Sequence, residues 1–227
     1  MMKLKKIFKK INLKTIIFNL RAFPFLEAIK LPVLLEKHCI VNNIYRGGVQ
    51  INSAISLKPG MLQIGYIPFK NAMSSKRDRC VINIEKNSCI VLCGKASFSA
   101  GSCINVTSGG QLIIGNNCSF NARTNIECHK KISFGDNVLV SWDCQFMDTD
   151  FHFIVIDNEK KNNRESVSIG NSVWICCDSI ILKGSYIPDG CIIGAKSLVN
   201  KKLGKINSLY AGNPASLKKE NISWKEI

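Results

Sequence analysis

The chain has 227 residues, 46% of them apolar, and a formal net charge of +15, enough for one continuous core with flanking segments. No apolar run reaches the roughly 18 residues a membrane-crossing helix needs, because Lys14, Arg21 and Lys30 interrupt it. The 11 cysteines are odd in number, irregularly spaced and without a pair of CxxC units, which argues against a disulfide framework or a zinc ribbon and suits structural thiols in a reducing, cytoplasmic compartment.

Residues 1–30 open with Lys3, Lys5, Lys6, Lys9, Lys10 and Lys14, and the first acid is Glu27. A helix here would line Leu4, Ile7, Phe8 and Ile11 along one face, so residues 1–14 are expected either to contact an anionic membrane surface peripherally or to form a solvated tail. The apolar stretch Thr15 to Leu20 follows, and Pro24 and Pro32 argue against a long helix. Basic residues further on are scattered and not interleaved with aromatics, so no nucleic acid partner is expected. Residues 31–80 hold short apolar segments broken by Gly47-Gly48 and Pro59-Gly60, the pattern of a solenoid cap.

From about residue 81 to 203 the chain repeats. Ile169, Ile175, Ile181, Ile187, Ile193 and Val199 recur every sixth residue, and Val173, Ser179, Ser185, Cys191, Ser197 and Leu203, mostly small, stand four residues after each. A period of six fits neither a lone helix nor a lone strand. It predicts an all-β fold, a parallel β-helix in which each hexapeptide is one flat face and three faces make a coil of about eighteen residues. The register extends backwards with slips: Phe134, Val140 and Phe146 with Val138 and Cys144; Ile114, Phe120 and Ile126 with Cys118 and Thr124; Leu92, Phe98 and Ile104 with Ala96, Ser102 and Ser108. Residues 148–167 break the repeat with polar and charged side chains, which predicts a loop extruded from one edge. Residues 204–227 form a tail in which Tyr210 to Pro214 signals a turn, and Ser216 to Ile227 is expected to form a short C-terminal helix.

Of three histidines, His152 lies in Asp148-Thr-Asp-Phe-His152, where the repeat gives way to the loop. An imidazole there can take a proton from a hydroxyl as general base. In extended chain Asp148, Asp150 and His152 point the same way, which would let a carboxylate orient the ring. Composition alone favours the blander reading, a loop histidine beside two solvated acids. No nucleophile elbow is present, so no covalent enzyme intermediate is expected.

Three segments carry a resemblance: Ile169-Gly-Asn-Ser-Val-Trp174-Ile175, Ile192-Ile-Gly-Ala-Lys-Ser197 and Ala211-Gly-Asn-Pro-Ala215. With the solenoid they resemble the hexapeptide-repeat O-acetyltransferases, which are left-handed parallel β-helices acting on capsular and O-antigen polysaccharides, galactosides and maltose. The resemblance covers roughly residues 81–220. It implies His152 as the base with Asp150 or Asp148 holding it, acetyl-CoA as donor, no metal, and a homotrimer with the cofactor between neighbouring subunits. Carried over position by position, the cofactor contacts fall on Trp174, Cys177, Ala195, Asn200 and Lys219, with Lys201 and Lys218 near enough to meet phosphates. The acceptor-binding position falls near Arg123, flanked by Asn121 and Asn125. Cys176 and Cys177 depart from the family's small residues. The acceptor implied is a glycan or a lipid-linked glycan. A non-catalytic solenoid scaffold, an N-acetyltransferase on an amino sugar and a zinc hydratase stay open as alternatives.

Overall fold

The computed structural model describes residues 7, 9–66 and 78–225. Its short strands stack into three parallel sheets of nine, seven and six strands, and the chain visits them in that order, coil after coil. The registers are continuous: Ile82 pairs with Ile104, Ile104 with Ile126, and Ile126 with Phe146. Phe146 then pairs with Ile181 across the loop, and Ile181 with Val199. All twelve residues of the two six-spaced columns from Ile169 to Leu203 are buried. The small positions have a second use, because the hydroxyls of Ser179, Ser185 and Ser197 donate to the main-chain carbonyls of Gly194, Val199 and Gly194 at 3.1, 3.0 and 2.6 Å. A buried hydroxyl is tolerated at the bend because it is satisfied there.

The slips in the repeat have a physical origin, for the solenoid tapers. Asn83 and Asn105 are coil neighbours 22 residues apart, Asn117 and Asn137 are 20 apart, and Asn171 and Asp189 are 18 apart. Wide coils use four-residue strands such as Cys103–Val106 and Asn125–Cys128 with two inward residues each, whereas the coils after the loop use two-residue strands with one. The wider bore holds Phe98 stacked on Phe120 at 4.1 Å, with Phe134 and Phe146 packed edge-on beyond them. The extra residues also turn Ser108, expected in the inward small column, out to solvent at φ 55°.

A ladder of carboxamides and carboxylates marks the corner from the six- to the nine-stranded sheet. Asn116, Asp136, Asn171 and Asp189 each accept from a main-chain N–H of the preceding coil, at 2.7 to 3.0 Å. The coils meet so closely here that a Cβ on Gly115 would lie 2.3 Å from the Gly135 carbonyl oxygen, which is why glycine precedes Asn116, Asp136 and Asn171, whereas Pro188 precedes Asp189.

The first strand, Val33–Leu35, is an open edge of the nine-stranded sheet, and helix α1, Leu13–Ala22, covers it. Thr15 and Asn19, one helical turn apart and buried, bond the main chain of Leu35 and Val33 as a neighbouring strand would, each side chain both accepting and donating. This satisfies an edge that would otherwise offer itself to another strand. Asn19→Ala should therefore lower stability by about 2–4 kcal/mol, since two buried main-chain groups lose their partners. Leu20→Ala on the outer face should cost less than about 1 kcal/mol, and urea unfolding of both variants checks the difference. A second helix, α2 (Phe25–Ala28), follows directly, so Pro24 ends one helix and starts the next, as the prolines predicted.

The tail corrects one expectation. Ser216–Lys219 is a strand and not a helix; it runs antiparallel to Leu209–Ala211 and closes the nine-stranded sheet. The free edge of the last coil offers main-chain partners that an isolated helix of this length lacks. Residues 1–6 and 8, which carry Lys3, Lys5 and Lys6 of the basic segment, lie outside the described residues. Among the described residues no helix is long and apolar enough to cross a membrane.

Candidate active site

The extruded segment leaves the solenoid after Gln145–Met147 of the seven-stranded sheet and returns at Val167–Ile169 of the six-stranded sheet. It is an arm with a defined fold. Val155–Ile156 and Glu159–Lys160 pair as a hairpin over Asp157-Asn158, both at positive φ (51° and 62°), as a two-residue turn of this hand requires. The Asp148 carboxylate, fully buried, fixes the base of the arm by accepting from the main-chain N–H groups of His129, Lys130 and Lys131 at 2.7, 2.8 and 2.7 Å. Lys183 clamps the arm from the next coil. Its Nζ lies 2.8 Å from Asp150 Oδ2 and donates to the Asn162 carbonyl at 3.0 Å.

His152 stands exposed on this arm. Asp148, Asp150 and His152 do not share an extended face, because Phe151 sits in the left-handed region at φ 60° and the His152 N–H folds back onto the Asp150 carbonyl at 2.7 Å. The Asp148 carboxylate is committed to main chain and the Asp150 carboxylate to Lys183. Among the described residues the His152 imidazole accepts and donates no hydrogen bond. Phe151 instead packs edge-on against His129, ring centres 5.1 Å apart. His129 Nε2 lies 3.8 Å from Glu127 Oε2 and is buried without a hydrogen bond. Glu127 ends a ladder on the outer face of the seven-stranded sheet, where Asn43, Asn83, Asn105 and Glu127 bond in series at 2.7, 2.7 and 2.6 Å. Lys183, His129 and Phe151 were given no role at the site from the sequence, which placed Lys183 only as an outward-facing residue. The repeat register carried a signal for Lys183, since it is the coil-equivalent of Asp148 once Phe146 is paired with Ile181.

The cofactor positions fall into three places. Cys177 and Ala195 occupy equivalent corner positions on consecutive coils, where the Lys196 N–H donates to the Cys177 carbonyl at 2.9 Å, between the nine- and seven-stranded sheets. Asn200 and Lys201, both exposed, lie at the opposite edge of the seven-stranded sheet, the edge from which the arm and Lys183 project. Trp174 is half-buried on the outer face of the nine-stranded sheet; its Nε1 donates to Ser141 Oγ at 3.2 Å, and Trp224 of the tail lies 6.1 Å away. Lys218 and Lys219 are exposed on the last strand of that sheet. Of the acceptor positions, Arg123 grips Asp143 with two bonds of 2.6 and 2.7 Å and approaches Asp78 at 3.6 Å, in the same corner as Cys177 and Ala195. The main-chain carbonyl of Asn121 accepts from Thr124 Oγ1 at 2.9 Å, and Asn125 Oδ1 is buried without a bond. Exposed lysines and outward main-chain groups at the last coils match the phosphates and amides of a coenzyme A in chemistry.

Burial pushes the Cys176 thiol up to about 11 and that of Cys144 to about 12, so neither is a thiolate at neutral pH. Among the described residues no group of three or more His, Cys, Asp or Glu side chains is arranged to hold a metal ion.

No family model matches the chain. It is 36% identical over 121 residues to an uncharacterized 24.8 kDa protein in the cps region of Klebsiella pneumoniae, covering 53% of this chain and 54% of that protein. It is 31% identical over 116 residues to galactoside O-acetyltransferase of Escherichia coli (strain K12), covering 49% and 55%. The chain thus spans about half the length of these relatives. Its fold matches the crystal structure of the polysialic acid O-acetyltransferase OatWY at a TM-score of 0.51 and 24% identity, over 86% of this chain and 87% of that one. In sequence over half its length, and in fold over most of it, the chain is similar to the hexapeptide-repeat acetyltransferases, and its solenoid is their left-handed parallel β-helix.

Proposed function

We propose that this chain is an acetyl-CoA-dependent O-acetyltransferase that modifies a sugar hydroxyl of a surface glycan or its precursor. The observation that carries the reading is an exposed histidine on an arm whose base is pinned by Asp148 and whose flank is pinned by Lys183. Similarity to a galactoside O-acetyltransferase supports a sugar as acceptor. Acetyl-CoA supplies the acetyl group as an activated thioester. His152 takes the proton from the acceptor hydroxyl as its oxygen attacks the thioester carbonyl, which raises the nucleophilicity of that oxygen at neutral pH; the carbon–sulfur bond then breaks, and coenzyme A leaves as a thiolate that takes up the proton. Asp150 sets the direction of the ring through the fold of the main chain, since its carbonyl holds the His152 N–H. Lys201, Lys218 and Lys219 meet phosphates, and main-chain N–H groups at the coil edge stabilise the oxyanion.

The division of the candidate residues supports a homotrimer. Cys177, Ala195 and Arg123 lie on one edge of the seven-stranded sheet and His152, Asn200 and Lys201 on the other, so two copies meeting edge to edge complete a site that one copy leaves open. Phe151, Phe153, Ile154, Val155 and Ile156 form an exposed apolar row on the arm, of the kind a neighbouring copy covers. Acetyl-CoA at a hundred times its Kd should protect the protein against heat by about 2.7 kcal/mol. A thermal melt with acetyl-CoA, and one with ATP as a phosphate control, tests this, and equal midpoints with and without acetyl-CoA would remove the donor from the reading.

A further inference from the structure

Helix α1 has two faces. Thr15, Phe18, Asn19 and Ala22 face the solenoid and are buried, while Leu13, Ile16, Ile17 and Leu20, with the same helical spacing, face away and are exposed. Helix α2 and the turn after it extend the second face: Phe25, Leu26 and Ile29 are 66%, 73% and 56% exposed. Packing on the solenoid explains the first set, and among the described residues nothing covers the second.

Cations border this surface. Lys14, Arg21 and Lys37 line the groove beside it and Lys30 directly follows Ile29, against the acids Glu27 and Glu36, and the Glu36 carboxylate is bonded to the His38 N–H at 2.7 Å. Beside α1 a groove of about 690 Å³ has apolar walls from Leu13, Ile17, Ile40 and Val41 and a rim of Lys14, Arg21 and Lys37, with no acid among its lining residues. An apolar floor with a cationic rim is complementary to one chemistry, acyl chains beneath anionic headgroups.

We propose that the capped end of the solenoid docks on an anionic lipid bilayer, with Leu13, Ile16, Ile17, Leu20, Phe25 and Leu26 inserted at the headgroup boundary and Lys14, Arg21 and Lys37 against the phosphates. The docking surface is thus residues 13–29 and the adjoining groove. Of the face expected from Leu4, Ile7, Phe8 and Ile11, Leu4 and Phe8 lie outside the described residues, and Ile7 and Ile11 are half-buried. Docking by this end holds the glycan-modifying edge upright beside the membrane, within reach of a lipid-linked acceptor.

The full chain is sedimented with vesicles of phosphatidylcholine alone and of phosphatidylcholine with phosphatidylglycerol, at low and high salt. Binding is expected only to the second, weakening as salt rises because exposed charges are screened. Leu13→Asp combined with Leu26→Asp, at the two most exposed apolar positions, should lower the partition coefficient at least roughly tenfold. It should leave the thermal midpoint and acetyl transfer to a soluble acceptor unchanged, so failure here is distinct from failure of the proposed activity. Equal sedimentation of the parent and the double variant, or binding by neither, overturns the proposal. Loss of an oligomer in light scattering without any vesicle binding overturns it as well and assigns the face to a second copy of the chain.

Discussion

Replacing His152 with alanine is expected to leave the far-UV circular dichroism and the thermal midpoint unchanged and to lower kcat for acetyl transfer by roughly 10²–10⁴-fold. The side chain is exposed, and what holds the arm is elsewhere, in the three main-chain bonds to Asp148 and the ion pair between Asp150 and Lys183. Loss of the imidazole therefore removes a proton acceptor and little packing. Lys183→Met separates the base from its mounting. It should loosen the arm and reduce turnover less than His152→Ala, because the histidine is still present but less well placed. Turnover near the parent value in His152→Ala, with the fold intact, would show that another group takes the proton.

The largest effect on stability is expected at Ile181. This side chain is fully buried in the narrow bore after the loop, stacked between Phe146 and Val199. Ile181→Asp places a carboxylate there with no partner and should cost more than about 4 kcal/mol or prevent folding. Gln145→Asp is the matched control, since Gln145 is exposed and pairs with Ile180 on the outer face. It should change stability by about 0.5 kcal/mol or less. Ile181→Ala, expected to cost about 2–5 kcal/mol, keeps the comparison measurable where the aspartate variant does not fold. Equal and mild losses in Ile181→Asp and Gln145→Asp would mean that the inward column has been misread.

The inward columns were legible because a narrow solenoid leaves little choice. One aliphatic side chain per face must stack on its equivalent in the next coil, and Ile169 to Val199 repeat that demand without interruption. Upstream the signal blurs, since a bore wide enough for Phe98 and Phe120 needs two inward residues per face and longer corners, as at Ser108. His152 was legible as the histidine at the repeat break. Its neighbours were not, because an alternation argument assumes extended chain and Phe151 at positive φ ends it. The strand at Ser216–Lys219 and the edge-covering role of Thr15 and Asn19 depend on which sheet edges are left open, and local sequence carries no record of that.

The proposed activity adds an acetyl group to a sugar hydroxyl. The most direct measurement is mass spectrometry of the host's surface glycan from cells with the chain, without it, and with the His152→Ala form. One acetyl group on the repeat unit is expected in the first case, released by mild base as an ester is, and none in the other two. Identical glycan masses in all three would contradict acetyl transfer to this glycan, and an acetyl group that survives mild base would assign the transfer to an amine.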